Sequence, residues 1–134
     1  QDSQAGWDKY GTEFISALIA VEDSNTANAC VEFDVSGQYK DELAGPLWEP
    51  LNLDYLEDLD LKPIETKSGD VILFNSYVPH GSGGNKSADR RCNIYITYNK
   101  ETDGDHREQY FSEKRESFPP NNERDPDKDY SFKV

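Results

Sequence analysis

A mainly β fold of the sandwich or jelly-roll class follows from three features of the sequence. Short runs rich in β-branched and aromatic residues recur along it, Gly-, Ser- and Asn-rich turns separate them, and little of it has helical periodicity. With 134 residues there is room for one domain, 1–134, whose residues 100–134 read as a charged C-terminal extension.

The first ten residues are polar and contain Asp2 and Trp7. Residues 13–22 (EFISALIAVE) form the first predicted strand. Phe14, Ser16, Leu18 and Ala20 share one face, and Ile15, Ala17, Ile19 and Val21 the other. Both faces are largely apolar, so this strand is expected to be covered on both sides. A second strand is expected over 29–35 (ACVEFDV), ended by Ser36-Gly37. In 38–61, Gly45-Pro46 marks a turn, 48–51 a short strand, and the acid-and-leucine mixture of 53–61 a helical turn or two. A strand over 62–66 enters the turn 67–70.

Two further runs, 71–74 and 92–98, flank a Gly/Ser/Asn-rich turn, and their antiparallel pairing would bring His80 and Arg91 to one end of a sheet. Side chains alternate along a strand, so if Arg91 points inward then Asn93, Tyr95 and Thr97 do as well. Cys92, Ile94, Ile96 and Tyr98 are left on an outer face too apolar to stay bare. Asp105 is placed to cap a helix over 106–116, His106 to be solvated, and Tyr130, Phe132 and Val134 to dock as a last strand.

The net charge of −13 argues against a nucleic-acid or anionic membrane partner. No apolar run reaches the roughly 20 residues that span a bilayer. Cys30 and Cys92 lie in apolar strand-like runs and read as free thiols of a reducing, cytoplasmic compartment.

A non-haem Fe(II) oxygenase uses two His and one carboxylate on one face of the metal. The usual linear order is His-x-Asp, a distant His, and a basic residue on the next strand. Asp2, His80 and Arg91 follow that order, and the position of the first His lies one before Gln1. The segments SGDVILFNSYVPHGSGGN and RRCNIYITYN, with eleven residues from His80 to Arg91, resemble the phytanoyl-CoA dioxygenase family of Fe(II)/2-oxoglutarate oxygenases.

The resemblance implies a double-stranded β-helix (jelly roll, cupin-like) incomplete at its N-terminus. It implies Fe(II) as cofactor on Asp2 and His80, and 2-oxoglutarate as co-substrate with its distal carboxylate on Arg91 and Ser82. It implies hydroxylation of a small or medium organic substrate, with succinate and CO2 as co-products. Trp7, Asn93 and Tyr95 are the candidates for substrate contact, and Arg90 is the competitor for the place of Arg91. Two readings stand beside this one: a jelly-roll binding module with an incomplete metal triad, and a cupin-like isomerase or sugar binder. The second would need more than one His inside the barrel. The apolar outer face is expected to be covered by upstream helices or by a second copy of the chain.

Overall fold

A computed structural model describes residues 1–47, 49–52, 56 and 59–130. Its centre is β1 (Phe14–Ala20), shorter than the predicted strand by one residue at the start and two at the end. β1 lies between β4 (Val71–Asn75) and β6 (Asn93–Asn99), antiparallel to both. The expected direct pairing of the last two strands is therefore wrong. β1, the strand with the most apolar character on both faces, takes the central place between them.

The chain between β4 and β6 crosses to a second three-stranded sheet, in which β2 (Glu32–Asp34) is flanked by β3 (Leu61–Pro63) and β5 (His80–Gly81). Both its pairings are antiparallel. Among the described residues the architecture is thus mainly β, two small antiparallel sheets with one α-helix.

The sheets face each other across a core of Leu18, Val31, Phe33 and Phe74, with Ile64, Ile72 and Val78 packed against it. Leu18 is only 2% exposed, and burying a side chain of this size contributes about 1.5–3 kcal/mol. The rings of Phe33 and Phe74 meet edge-on, 4.9 Å between centroids, and join the two layers.

β2 begins three residues later than predicted because Asn25 and Asn28 hold a turn ahead of it. Asn28 Oδ1 accepts the Asn25 N–H at 2.7 Å, and Ala29 adopts a left-handed φ of 63°. The strand expected over 62–66 shifts to Leu61–Pro63, with Thr66 left in an isolated bridge to Ser24. Residues 49–51 are not strand. Trp48, the expected helical turns at 53–55 and 57–58, and the end of the expected last strand at 131–134 lie outside the described residues; Tyr130 is irregular.

The turn before β4 depends on Gly69, whose φ of 95° suits a residue without Cβ. The Asp70 carboxylate accepts the Lys67 N–H there at 2.7 Å.

The helix α1 (Arg107–Ser117) starts one residue later than predicted. Asp105 Oδ1 accepts the Arg107 N–H at 3.0 Å, and His106 is the capping residue. His106 is not solvated as expected: it is half-buried, its ring 6.3 Å from that of Tyr10. The C-terminal extension is bound to the start of the chain by polar contacts. Asp103 accepts the Thr12 N–H at 2.8 Å, Lys100 pairs with Glu13 at 2.9 Å, and Glu113 accepts from Lys9 and from the Tyr10 hydroxyl. The α1 helix has no buried residue; it is held by the bonds to Glu113 and by the Tyr110 ring, which meets Tyr10 edge-on at 5.4 Å.

Candidate metal and co-substrate site

His80 stands where β5 meets β2, opposite Phe33. Buried Pro79 precedes it and its carbonyl accepts the Asp34 N–H at 2.8 Å, which fixes the backbone. The imidazole is stacked on Phe33 (5.6 Å, 25°) and meets Phe74 edge-on (4.9 Å). Its Nδ1 lies 2.8 Å from the Val78 carbonyl. A carbonyl only accepts, so Nδ1 carries the proton and the lone pair is on Nε2.

That lone pair faces Asp2 Oδ1 at 3.3 Å. Asp2 opens a short 3-10 helix, Asp2–Ala5, fixed to the end of β4 by the Ser3 N–H to the Ser76 carbonyl (3.1 Å) and by the hydroxyls of Ser3 and Ser76 (2.7 Å). Its second oxygen, Oδ2, accepts from the Ser16 hydroxyl at 3.2 Å, and Ser16 is 3.1 Å from the Thr97 hydroxyl. One carboxylate oxygen is therefore held by β1 and β6, and the other is presented to the imidazole.

A neutral imidazole and a carboxylate that face each other in this way form a donor pair able to share a cation. Donors each about 2.1 Å from a shared ion at right angles lie about 3 Å apart, close to the separation found. The donor set, one imidazole and one carboxylate, fits a divalent transition metal. Among the described residues no third His, Cys, Asp or Glu joins them.

A cavity of about 320 Å³ opens beside this pair. Asp2, His80 and Gln4 supply polar groups, and Leu51, Leu56, Leu59 and Leu61 supply an apolar wall.

The inward parity of β6 is as expected: Thr97, Tyr95 and Asn93 pair with Ser16, Leu18 and Ala20 on the inner face. Arg91, two residues earlier, donates from Nη2 to Ser82 Oγ at 3.1 Å, and its Nη1 is buried without a partner. Arg90 turns away, to Glu22 at 3.2 Å. Tyr95 stands beside Asn93 on this face and lies within the electrostatic reach of both Arg91 and Asp2. Its phenol is raised above the usual value, chiefly by burial, against the pull of Asn93 and Arg91.

Trp7 is elsewhere. Its ring packs on Phe14, 5.1 Å between centroids, at the opposite end of β1 from Asn93, and it does not line the cavity beside His80.

Sequence reasoning missed the Ser16–Thr97 hydroxyl pair and the aromatic bracket of Phe33 and Phe74. The first left a signal: Ser16 and Thr97 each fall on the inner side of their strands by alternation.

Residues 1–92 match the family described as "Phytanoyl-CoA dioxygenase (PhyH)". The chain is 39% identical over 136 aligned residues to a 2-aminoethylphosphonate dioxygenase from uncultured bacterium HF130_AEPn_1, covering 98% of this chain and 50% of that protein. It is 34% identical to a methylphosphonate hydroxylase from Gimesia maris (strain ATCC 29201 / DSM 8797 / 534-30), over 78% of this chain and 40% of that protein. The chain thus spans about half the length of these curated relatives or less. Its fold resembles the crystal structure of EvdMO1, with a TM-score of 0.52 and 23% identity over 66% of this chain and 20% of that one.

Proposed function

The chain belongs to the phytanoyl-CoA dioxygenase family, and on that premise we propose that it forms part of an Fe(II)/2-oxoglutarate-dependent hydroxylase. The proposed reaction converts a substrate C–H, O2 and 2-oxoglutarate into C–OH, succinate and CO2. A small organic substrate is proposed, and the names of the two relatives make short alkylphosphonates the first class to test. The jelly-roll completion of the two sheets belongs to the same proposal.

The observation that carries it is the pairing of His80 Nε2 with Asp2 Oδ1 at 3.3 Å, in an interior that also contains the unpartnered Arg91 Nη1. Asp2 and His80 would hold the iron, with a further ligand from outside the described residues. Bound there, ferrous iron would supply oxygen activation coupled to decarboxylation of the co-substrate.

The chain's own residues act around it. Val78 keeps the His80 tautomer, Ser16 and Thr97 orient Asp2, and the Phe33 and Phe74 rings exclude water from one side of the imidazole. Arg91 offers its guanidinium fork to a carboxylate, a match of planar donors to two oxygens. Ser82 steadies that fork. Asn93 and Tyr95 lie along the strip between the guanidinium and Asp2, where co-substrate and substrate would meet. Trp7, packed on Phe14, enters the proposal only as a wall of a larger substrate channel.

A specific observation favours a second reading, a binding module that holds no iron: the described donor set has two ligands and not three. Anaerobic Fe(II) titration with 2-oxoglutarate separates the two. The hydroxylase reading expects a weak visible metal-to-ligand charge-transfer band, lost in His80→Ala and in Arg91→Ala. Absence of the band from the full-length protein carrying this sequence, or its persistence in both variants, favours the module.

The remaining proposals concern surroundings. The charge of −13 opposes a nucleic-acid partner, and no described helix is long and apolar enough to cross a membrane. Both cysteines are free thiols, in keeping with the proposed cytoplasmic setting. A homo-oligomer is proposed to cover the open outer face of the β4-β1-β6 sheet.

A further inference from the structure

Gln1 precedes Asp2 in the chain and is buried, 7% exposed, yet its side chain makes bonds far along the sequence. Its Nε2 donates to the Glu42 carbonyl at 2.9 Å and to the Tyr77 carbonyl at 2.5 Å. Its Oε1 accepts the Ala44 N–H at 2.8 Å. A carboxamide has two N–H donors, and both are used here. Toward residues 42 and 44 it presents one donor and one acceptor, as a peptide group would. The other donor goes to the turn that leads into His80.

That turn connects Gln1 to the imidazole. The Tyr77 carbonyl and the Val78 N–H belong to one peptide group, which is planar and moves as a unit. Gln1 holds its oxygen, and the Asn75 carbonyl accepts its N–H at 3.2 Å. The next carbonyl, that of Val78, is the one that meets His80 Nδ1 at 2.8 Å. On the other side of Asp2, Ser3 is bonded to Ser76 by its N–H (3.1 Å) and by its hydroxyl (2.7 Å). Residues 1 and 3 therefore grip residues 77 and 76, with Asp2 between them. The 3.3 Å approach of Asp2 Oδ1 to His80 Nε2 is made inside that frame.

We propose that Gln1 is a positioning residue for the metal pair: its carboxamide fixes the peptide group of Tyr77 and Val78, and through it the imidazole of His80, relative to Asp2. Gln1 acts through these two side chains and is not itself a ligand. Its bonds to Glu42 and Ala44 are the second point of attachment. They keep the carboxamide from turning, because rotating Nε2 off the Tyr77 carbonyl would break them as well. This rests on the proposed metal role of Asp2 and His80 and adds the part that keeps the two donors at a shared distance.

Two readouts on the full-length protein test it. Calorimetry gives Mn(II) affinity, and nitrogen NMR shifts of the metal-free protein at about pH 8, where the ring is neutral, give the His80 tautomer. Gln1→Ala is expected to weaken Mn(II) about 10-fold, as loss of a residue that orients a ligand does. It is also expected to move His80 from the Nδ1–H tautomer toward a mixture of the two. Glu113→Gln, which loosens the helix away from this site, serves as the control for lost stability and should change neither readout. A Gln1→Ala variant that loses Tm but keeps both the affinity and the tautomer overturns the positioning role. If Gln1→Ala fails to fold, the nearly isosteric Gln1→Glu decides. It keeps an acceptor for the Ala44 N–H but turns a carboxylate toward the carbonyls of Glu42 and Tyr77. It should weaken Mn(II) at least as far, and affinity equal to the parent's would refute the contact's importance. A parent that binds no Mn(II) overturns the metal reading itself, whereas the tautomer, read without metal, judges the hold of Gln1 on His80 separately.

Discussion

The two faces of the β4-β1-β6 sheet reverse the ordinary distribution of polarity. The inner face carries Ser16, Thr97, Tyr95 and Asn93 among its apolar residues, and the outer face carries Ile15, Val71, Leu73, Ile94, Ile96 and Tyr98. Leu73 is 69% exposed and Ile15 52%. A sheet with one solvated face normally shows the opposite pattern. Polar groups on the face shared with Ser16 and Leu18 are those that would line the proposed site. Apolar groups left exposed on the outer face would serve the proposed contact surface. On the proposed reading one sheet has a chemical side and an associative side, and β1 is the strand common to both.

The largest effect expected from breaking this contrast is on the inner face. Loss of a residue that merely orients a metal ligand costs 10- to 100-fold in affinity, so His80→Ala should weaken Fe(II) binding by more than about 100-fold. Equilibrium competition with a chelator measures it, and a variant that still holds Fe(II) as the parent does would remove His80 from the metal. A smaller loss, about 10-fold, is expected for Ser16→Ala, which frees Asp2 Oδ2 from β1 while leaving the carboxylate in place. If Ser16→Ala binds metal like the parent, the hydroxyl pair is only an interior hydrogen bond.

Much of this contrast was legible in the sequence because strand alternation is a strict period of two. Asn93, Tyr95 and Thr97 fall on the inner face, and Ile94, Ile96 and Tyr98 on the outer, as parity requires. The parity of Arg91 also separated it from Arg90, which turns to Glu22. Pairing was less legible, because which strands neighbour each other depends on long-range contacts that a single sequence does not rank. β4 and β6 therefore looked like partners when both belong to β1. The turn ahead of β2 was hidden for a different reason: two Asn side chains capture backbone groups that a hydrophobic pattern assigns to a strand. The cover expected on the outer face of β1 is not found among the described residues.

On the associative side the expected effects on stability are small. Leu73→Ser with Ile96→Ser removes exposed apolar surface and should change unfolding free energy by no more than about 0.5 kcal/mol each. Sedimentation velocity over a concentration series should show the parent associating and the double variant shifted toward monomer. A parent that stays monomeric at every concentration would show that this face is not an interface between copies.

The smallest effect concerns whether the inner face needs the helix docked beside it. Lys9, Gln109 and Tyr10 hold the Glu113 carboxyl down to about 2, below its ordinary 4.5. Burial and Glu113 push the Tyr10 phenol up from 10 to about 12. A depressed carboxylate stabilises the folded state above its unfolded value, and that contribution is lost as the pH falls from about 4.5 toward about 2. A raised phenol contributes below pH 10 and loses its contribution as the pH rises toward about 12. Glu113→Gln should therefore lower the Tm slightly at neutral pH and flatten its fall between pH 4.5 and 2. Metal affinity should not move, because Asp2 is oriented by Ser16 and its short helix is tied to Ser76, both outside the clasp. A Glu113→Gln variant that loses metal along with Tm would mean that the chemical face is set by the docked helix and not by the sheet itself.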